Sequence, residues 1–283
     1  MWAGRYVGGL AIAFFLLCSS VVHSASGDKA FVDGNSLLAK GDLRGALKAY
    51  AAAAHADRAN QQYSQQYLLV RQVIQLQDRL ADETDDSRRV QLCQALRAFY
   101  TSHGLHDKAL PADQELFGRL KTAATAIQLA ETHLAVGQKE AAVRVLSGLD
   151  SNQSTEATRA MLSLALARQG KMGDARRIAA SISPAADAGP GTLYVFARMQ
   201  AAVGEEQAAV STLQRCFESV PPSRLGDLKS HAKQCVDFAS LTATAGFQAV
   251  IQTSSKVAES ACSGGSSCAN CPVRGGCPSS RGQ

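Results

Sequence analysis

Four glycines, Gly104, Gly137, Gly170 and Gly204, fall 33, 33 and 34 residues apart, and the residues at fixed offsets around them repeat too. Ala130 stands seven before Gly137, with Ala142 five after, Leu146 nine after and Leu149 twelve after. Gly170 carries Ser163, Ala175, Ala179 and Ile182 at the same offsets. Gly204 carries Ala197, Ala209, Leu213 and Cys216, and Pro221 closes the copy. The stretch GDLRGALKAYAAAAHAD at 41–57 belongs to the same series: Gly34 precedes Gly41, and Ala46, Tyr50 and Ala53 follow it. Self-similarity at this period restricts the chain to an array of like modules, each burying its apolar face against the next, so at least about three must stack.

The offsets describe a helix, a turn and a second helix. Small residues seven before and five after the glycine face each other across two antiparallel helices, where only small side chains let the backbones approach closely. The glycine ends the first helix and turns the chain. The larger residue nine after it, such as Tyr50 or Leu213, plugs the groove between one pair and the next. Gly41 and Gly104 lie 63 residues apart, about two periods. That spacing predicts a copy without its glycine over 59–85, where Tyr63, Tyr67, Val70, Ile74 and Leu76 keep a helical rhythm. Gly104 and Gly246 match more loosely, with Leu96, Tyr100 and Ala109 around the first and Phe238, Ala239 and Ala258 around the second. Arg97 replaces the small residue before Gly104, Asp113 takes its large-apolar position, and Ile251 follows Gly246 where alanine is expected.

This spacing of small residue, glycine, alanine, large apolar residue and small residue at a period of 34 resembles the tetratricopeptide repeat, over residues 28–260. The resemblance implies an all-α fold, a right-handed superhelical solenoid of antiparallel helix pairs. Its concave face would be lined by the first helix of each pair and would hold a protein or peptide partner. By helical phase, that face includes Phe31, Asn35, Glu131, Arg168, Tyr194 and Arg198. Arg168 and Arg198 beside Tyr194 suit an acidic or C-terminal carboxylate group.

Composition agrees with helices. Hydrophobic residues make up 46% and aromatic ones only 6%, and most of the seven prolines fall in connecting segments. The net charge of +5 is scattered, with acidic and basic residues interleaved. No basic stripe tracks a phosphate backbone, which argues against nucleic acid as a partner. The N-terminus has Arg5, a 16-residue apolar run from Val7 to Val22, and small residues around Ser24 and Ala25. This is the pattern of a secretory signal peptide over 1–24, cut after Ser24, and the run is short of the roughly 20 residues that span a bilayer. Cleavage places the domain outside the cytoplasm, periplasmic or secreted. An uncleaved segment would instead tether it to the membrane as an assembly factor.

The tail at 261–283, with Cys262, Cys268, Cys271 and Cys277 among Gly, Ser and Pro, is too poor in apolar residues to build a core. Crosslinks alone would order it. Two disulfides fit an oxidising compartment, with three possible pairings. A four-thiolate zinc or iron–sulfur site is a second reading, although only Cys268 and Cys271 form a close pair. A redox-active pair at those two positions is a third, which would make the chain a thiol-dependent metal or redox protein. Pro272 stands where covalent haem attachment needs histidine.

Cys93, Cys216 and Cys235 fall on apolar helical phases and read as small core hydrophobes. Loss of the leader takes Cys18 with it and leaves seven of the eight cysteines, an odd number. His103, His106 and Asp107 lack a third ligand at fixed spacing and read as a solvated turn. The acidic run Asp82, Glu83, Asp85 and Asp86 precedes a helix starting near Ser87, where carboxylates favour the positive helix end. Asn152 and Ser154 form a glycosylation sequon, meaningful in a eukaryotic chain. No phosphate loop, nucleophile elbow or zinc-binding histidine pair occurs. The sequence therefore points to an exported, non-catalytic scaffold without a required cofactor.

Overall fold

A computed structural model describes residues 13–259, with side chains from residue 26 onward. The described residues hold thirteen α-helices, one 3₁₀ turn and no strand. They fall into two compact units, Met1–Lys121 and Thr122–Gln283. The tail cysteines and residues 1–12 of the expected leader lie outside the described residues. Among the described residues no helix is long and apolar enough to cross a membrane.

The first unit contains α1 (Ala13–Ala39), α2 (Leu43–Ala56), α3 (Gln61–Asp82), α4 (Asp86–Ser102) and α5 (His106–Leu120). The second contains α6 (Ala123–Ala135), α7 (Lys139–Ser147), α8 (Glu156–Arg168), α9 (Met172–Ala179), α10 (Pro190–Val203), α11 (Glu206–Glu218), α12 (Pro222–Gln234), the 3₁₀ turn Val236–Phe238 and α13 (Ala245–Ile251). In the first unit each helix packs on the next in sequence. In the second, the pairs α6/α7, α8/α9 and α10/α11 stack in order, and the first helices α6, α8 and α10 are neighbours.

Every pair turns on its glycine in the same way. Gly41, Gly104, Gly137, Gly170 and Gly204 all have φ between 70° and 91°, the left-handed conformation that a Cβ disfavours. The residue after each glycine donates its N–H to the carbonyl five residues earlier, as from Gln138 to His133 at 2.8 Å and from Lys171 to Leu166 at 2.9 Å. That bond satisfies a carbonyl otherwise orphaned at the helix end and reverses the chain within two residues. The following helix needs little further capping there. Between pairs it is capped: Thr122 and Thr155 build capping boxes with Thr125 and Thr158.

The repeated offsets are contacts. Ala46, Ala109, Ala142, Ala175 and Ala209, five after each glycine, are all completely buried. Ser163, seven before Gly170, donates its hydroxyl to the carbonyl of Ala175 at 2.8 Å, so the two backbones of that pair lie one small side chain apart. Gly34 and Tyr50, seven before and nine after Gly41, form the tightest pairing, where a Cβ on Gly34 would stand 2.6 Å from the Tyr50 ring. The two positions trade volume: the smallest residue on one helix admits the largest on the other.

The Gly104 copy keeps the architecture and changes the chemistry. Arg97 and Asp113 occupy this same pair of positions and form an ion pair, Nε to Oδ1 at 2.5 Å, with the Asp113 side chain fully buried and Arg97 largely so. One charge in this groove would be prohibitive, and two opposite charges replace a packing contact by a hydrogen-bonded one. Pro111 also lies inside α5, unlike the prolines of the connections, and removes one intrahelical bond there.

Two expectations are corrected. Residues 59–85 do not form a helix pair but a single long helix, α3, because 61–82 contain neither Gly nor Pro to end it. Its buried face includes Tyr63, Val70 and Ile74, close to the rhythm read from the sequence. Gly246 is not a turn glycine. It sits inside α13, whose start is capped by the Thr244 hydroxyl on the Phe247 N–H, while the preceding chain is a 3₁₀ turn and loop. Gly246 packs near Val210, where a Cβ would make only an ordinary contact at 3.5 Å, so neither a turn nor a tight approach requires glycine there.

Arg97→Ala, which removes the guanidinium from buried Asp113, is expected to lower stability by about 3 kcal/mol. Adding Asp113→Leu, which recreates the apolar arrangement of the other copies, should recover most of that loss. Urea unfolding of both single variants and the double variant measures the coupling; strictly additive effects would refute the pairing argument.

Candidate functional site

The first helices of the second unit build an open groove of about 720 Å³. Ala124, Ile127 and Glu131 reach it from α6, Ala157 from α8, Pro190, Thr192, Tyr194 and Val195 from α10, and Arg224, Asp227, Leu228 and His231 from α12. These residues share one face because α6, α8 and α10 are side-by-side members of successive pairs, with α12 following them in the series. Of its apolar lining Val195 is buried and Ile127 and Leu228 are half-buried, while Arg224, Asp227 and His231 are exposed.

Four of the six face residues named from the sequence come together in this unit. Glu131 and Tyr194 line the groove, while Arg168 and Arg198 turn toward a carboxylate that the sequence did not single out. Asp237, on the 3₁₀ turn, accepts a two-pronged contact from Arg168, at 2.7 and 2.8 Å, and a third bond from Arg198 Nε at 2.8 Å. Arg198 Nη1 also donates to Glu131 Oε1 at 2.7 Å. One chain of charge therefore joins α6, α8, α10 and the 3₁₀ turn. The acidic group that suits Arg168 and Arg198 is supplied here by the chain itself.

The electrostatics are those of a buried, balanced cluster. The Asp237 and Arg198 side chains are only 2% and 8% exposed. Burial pushes the Asp237 carboxyl up, but the guanidinium groups of Arg168 and Arg198 outweigh it and hold the group below its ordinary 3.8. Burial works against the charged form of Arg198, yet Glu131 and Asp237 raise it above the usual guanidinium range. Two arginines against two carboxylates leave the cluster neutral, which is what makes its burial tolerable.

Tyr194 links the cluster to the groove. Its hydroxyl lies 2.6 Å from His231 Nδ1 across to α12, its ring meets Phe238 edge-on, and the Arg198 guanidinium sits 5.9 Å from its centroid. Burial pushes its phenol well up, so it stays protonated and serves as a hydrogen-bonding strut.

The other two face residues belong to the first unit, both on α1. Phe31 packs against the rings of Tyr50 and Tyr63, at 5.5 and 4.9 Å. Asn35 accepts the Tyr50 hydroxyl at 2.8 Å. Both are engaged in holding α1 against its neighbours.

The sequence reasoning missed Asp237, His231 and Leu228. Asp237 lies 69 residues from Arg168 in sequence, beyond the last regular copy, and no local pattern marks it. The available signal was indirect: two arginines on helices this apolar require an anion from somewhere.

The described cysteines are not nucleophiles. Burial pushes the Cys216 thiol up to about 12 and that of Cys93 up to about 11. Cys235 is raised as well, first by burial, and its thiol approaches Asp237 Oδ2 at 3.5 Å. Thiols so shifted stay protonated and inert. His103 caps α4, with its ring on Phe99 at 4.2 Å and Nδ1 2.8 Å from the Phe99 carbonyl. Among the described residues no three His, Cys, Asp or Glu side chains gather as metal ligands would. Asn152 of the sequon stands exposed in the turn between α7 and α8.

Asp237→Asn keeps the shape and removes the charge, and should cost about 3 kcal/mol at neutral pH. A carboxyl held below its unfolded value stabilises the fold above that value, and loses this contribution as pH falls through the folded one. The stability gap between native chain and variant should therefore stay constant down to about pH 5 and close below about pH 4. Urea midpoints across that range decide it; a gap that does not narrow as pH falls below about 4 would contradict the assignment.

No family model matches the chain, and a search of curated proteins finds no match. Among solved structures, a tetratricopeptide repeat protein from Parabacteroides merdae is similar at 16% identity with a TM-score of 0.36, over 81% of this chain and 98% of that chain.

Proposed function

We propose that this chain is an exported, non-catalytic scaffold that holds a protein or peptide segment in the groove of its second unit. The observation that carries this is the groove itself: open, with apolar side chains from α6, α10 and α12 and with Glu131, Arg224, Asp227 and His231 also in its lining. Such a surface takes a peptide by its alternate apolar side chains and fixes register through the rim. The polar groups of the site fit that role. The buried arginines are neutralised within the chain, the buried thiols stay protonated and Tyr194 braces a wall, so the groove offers recognition without an activated nucleophile or base. Arg5, the apolar run Val7–Val22 and the small residues at Ser24 support export, with the groove then facing partners of the cell envelope or exterior.

A displayed library of short random peptides, selected on the full chain, tests the reading. Enriched peptides should bind the native chain and lose about tenfold in affinity on Ala124→Arg, a substitution that places a long cation in the groove from an exposed position. Lys48→Glu, on α2 of the first unit, should leave binding unchanged. Peptides that bind Ala124→Arg as well as the native chain, or a selection that enriches none, would dismiss the groove as the site.

A further inference from the structure

α12 is the least firmly held side of the groove. It buries only Leu225 and Ala232 of its thirteen residues, with Leu228 partly covered, whereas α6 and α8 each bury seven of thirteen and α10 nine of fourteen. Its sequence adds little: Ser223, Gly226, Asp227, Ser230 and His231 are weak helix formers. Gly226 gains nothing in packing for that weakness, since a Cβ there would meet nothing within 4 Å. Among the described residues Arg224, Asp227, Lys229 and Lys233 form no ion pair. The charge cluster that ties α6, α8 and α10 together passes α12 by and grips the 3₁₀ turn beyond it.

Directed bonds at its two ends do much of the holding. At the start, the Glu259 carboxylate accepts hydrogen bonds from the Ser223 N–H at 2.5 Å and the Ser223 hydroxyl at 2.9 Å. Lys256 fastens that strap in turn, by its N–H to the Glu218 carbonyl at 2.8 Å and by an ion pair with the Glu218 side chain at 2.9 Å. Toward the other end, His231 Nδ1 lies 2.6 Å from the Tyr194 hydroxyl on α10. The chain on either side is fixed, with Val220 buried ahead of the helix and, beyond it, Asp237 gripped by two arginines and Phe238 fully buried. Residues 221–234 can therefore come away while both flanks stay in the core. An element with little buried apolar surface opens well before a whole domain unfolds. Opening takes Arg224, Asp227, Leu228 and His231 out of the groove.

We propose that α12 is a gate on the groove, latched by Glu259 on Ser223 and by His231 on Tyr194, and that an occupant binds only while the helix is docked. This rests on the reading of the groove as a peptide-binding surface and adds its regulation. Docked and open forms share one equilibrium: occupancy shifts it toward the docked helix, and a broken latch shifts it away.

Hydrogen exchange of the full chain tests the gate, read as protection factors at residues 226–234. These should be at least tenfold lower than those in α10 and α11 and insensitive to low urea, as a local opening requires. Glu259→Ala should lower them at least threefold further. Gly226→Ala, outside the groove lining, should raise them at least threefold, with α10 and α11 unchanged in both variants. A library-selected peptide at ten times its Kd should raise them about tenfold, because only the docked form binds it. Equal protection in α10, α11 and α12, or a bound peptide that leaves α12 as it was, overturns the gate. If the selected peptides then still lose affinity on Ala124→Arg, the groove remains the peptide site and only the gate falls. A selection that enriches no peptide dismisses the peptide reading, and the gate's role in capture with it.

Discussion

The structure depends on how closely two helices of a pair can approach, and that distance is set at two points. The left-handed glycine brings the chain back on itself within two residues, and the small side chains on either side of it let the backbones meet. Ser163 shows how tight the result is: its hydroxyl reaches a backbone carbonyl on the opposite helix. Once a pair is fixed at that separation, its outer apolar face has one geometry to offer, and the next pair has to match it. Order then propagates along each unit by nearest-neighbour contact alone.

The Gly104 copy tests how far this constraint reaches. Arg97 and Asp113 abandon the small and large apolar residues found at the same offsets elsewhere, and the pair still closes on Gly104 with φ of 70°. What is constrained is that the two positions fit each other in shape and charge, not the identity of either. Either change alone would bury a lone charge; made together they yield a hydrogen-bonded contact of similar reach. Gly34 with Tyr50 satisfies the same rule by volume alone.

This explains which features were legible in the sequence. The turn glycines, the buried alanines and the pairing of α6 through α11 follow from short-range rules at fixed offsets, and all could be read in advance. α3 could not, because a missing glycine in a periodic series signals either a degenerate copy or an uninterrupted helix, and the hydrophobic rhythm is the same for both. Gly246 misled for the converse reason: a glycine at about the right spacing lies inside a helix and makes no turn. Of the site, Glu131, Arg168, Tyr194 and Arg198 were legible from helical phase. Asp237 was not, since its place is fixed by the loop after α12 and by Phe238 entering the core, neither of which has a period.

The charge cluster has a consequence for the groove because two of its contacts are also walls. Glu131 is pinned by Arg198, and Tyr194 by His231 and Phe238, so these walls are positioned by directed bonds rather than by apolar packing alone. Apolar packing tolerates small sliding of one helix on another; a guanidinium gripped by two carboxylates from different elements does not. Glu131 and Arg198 occupy equivalent positions, six residues before their glycines, with fully buried Leu164 at that position in the copy between them. The bond thus reaches across a whole repeat and resists relative rotation of the pairs on either side. A wall held in this way gives up little conformational freedom when the groove is filled, so more of the interaction with an occupant remains as affinity. That is the physical sense in which an internally neutralised cluster would contribute to the recognition proposed for the groove.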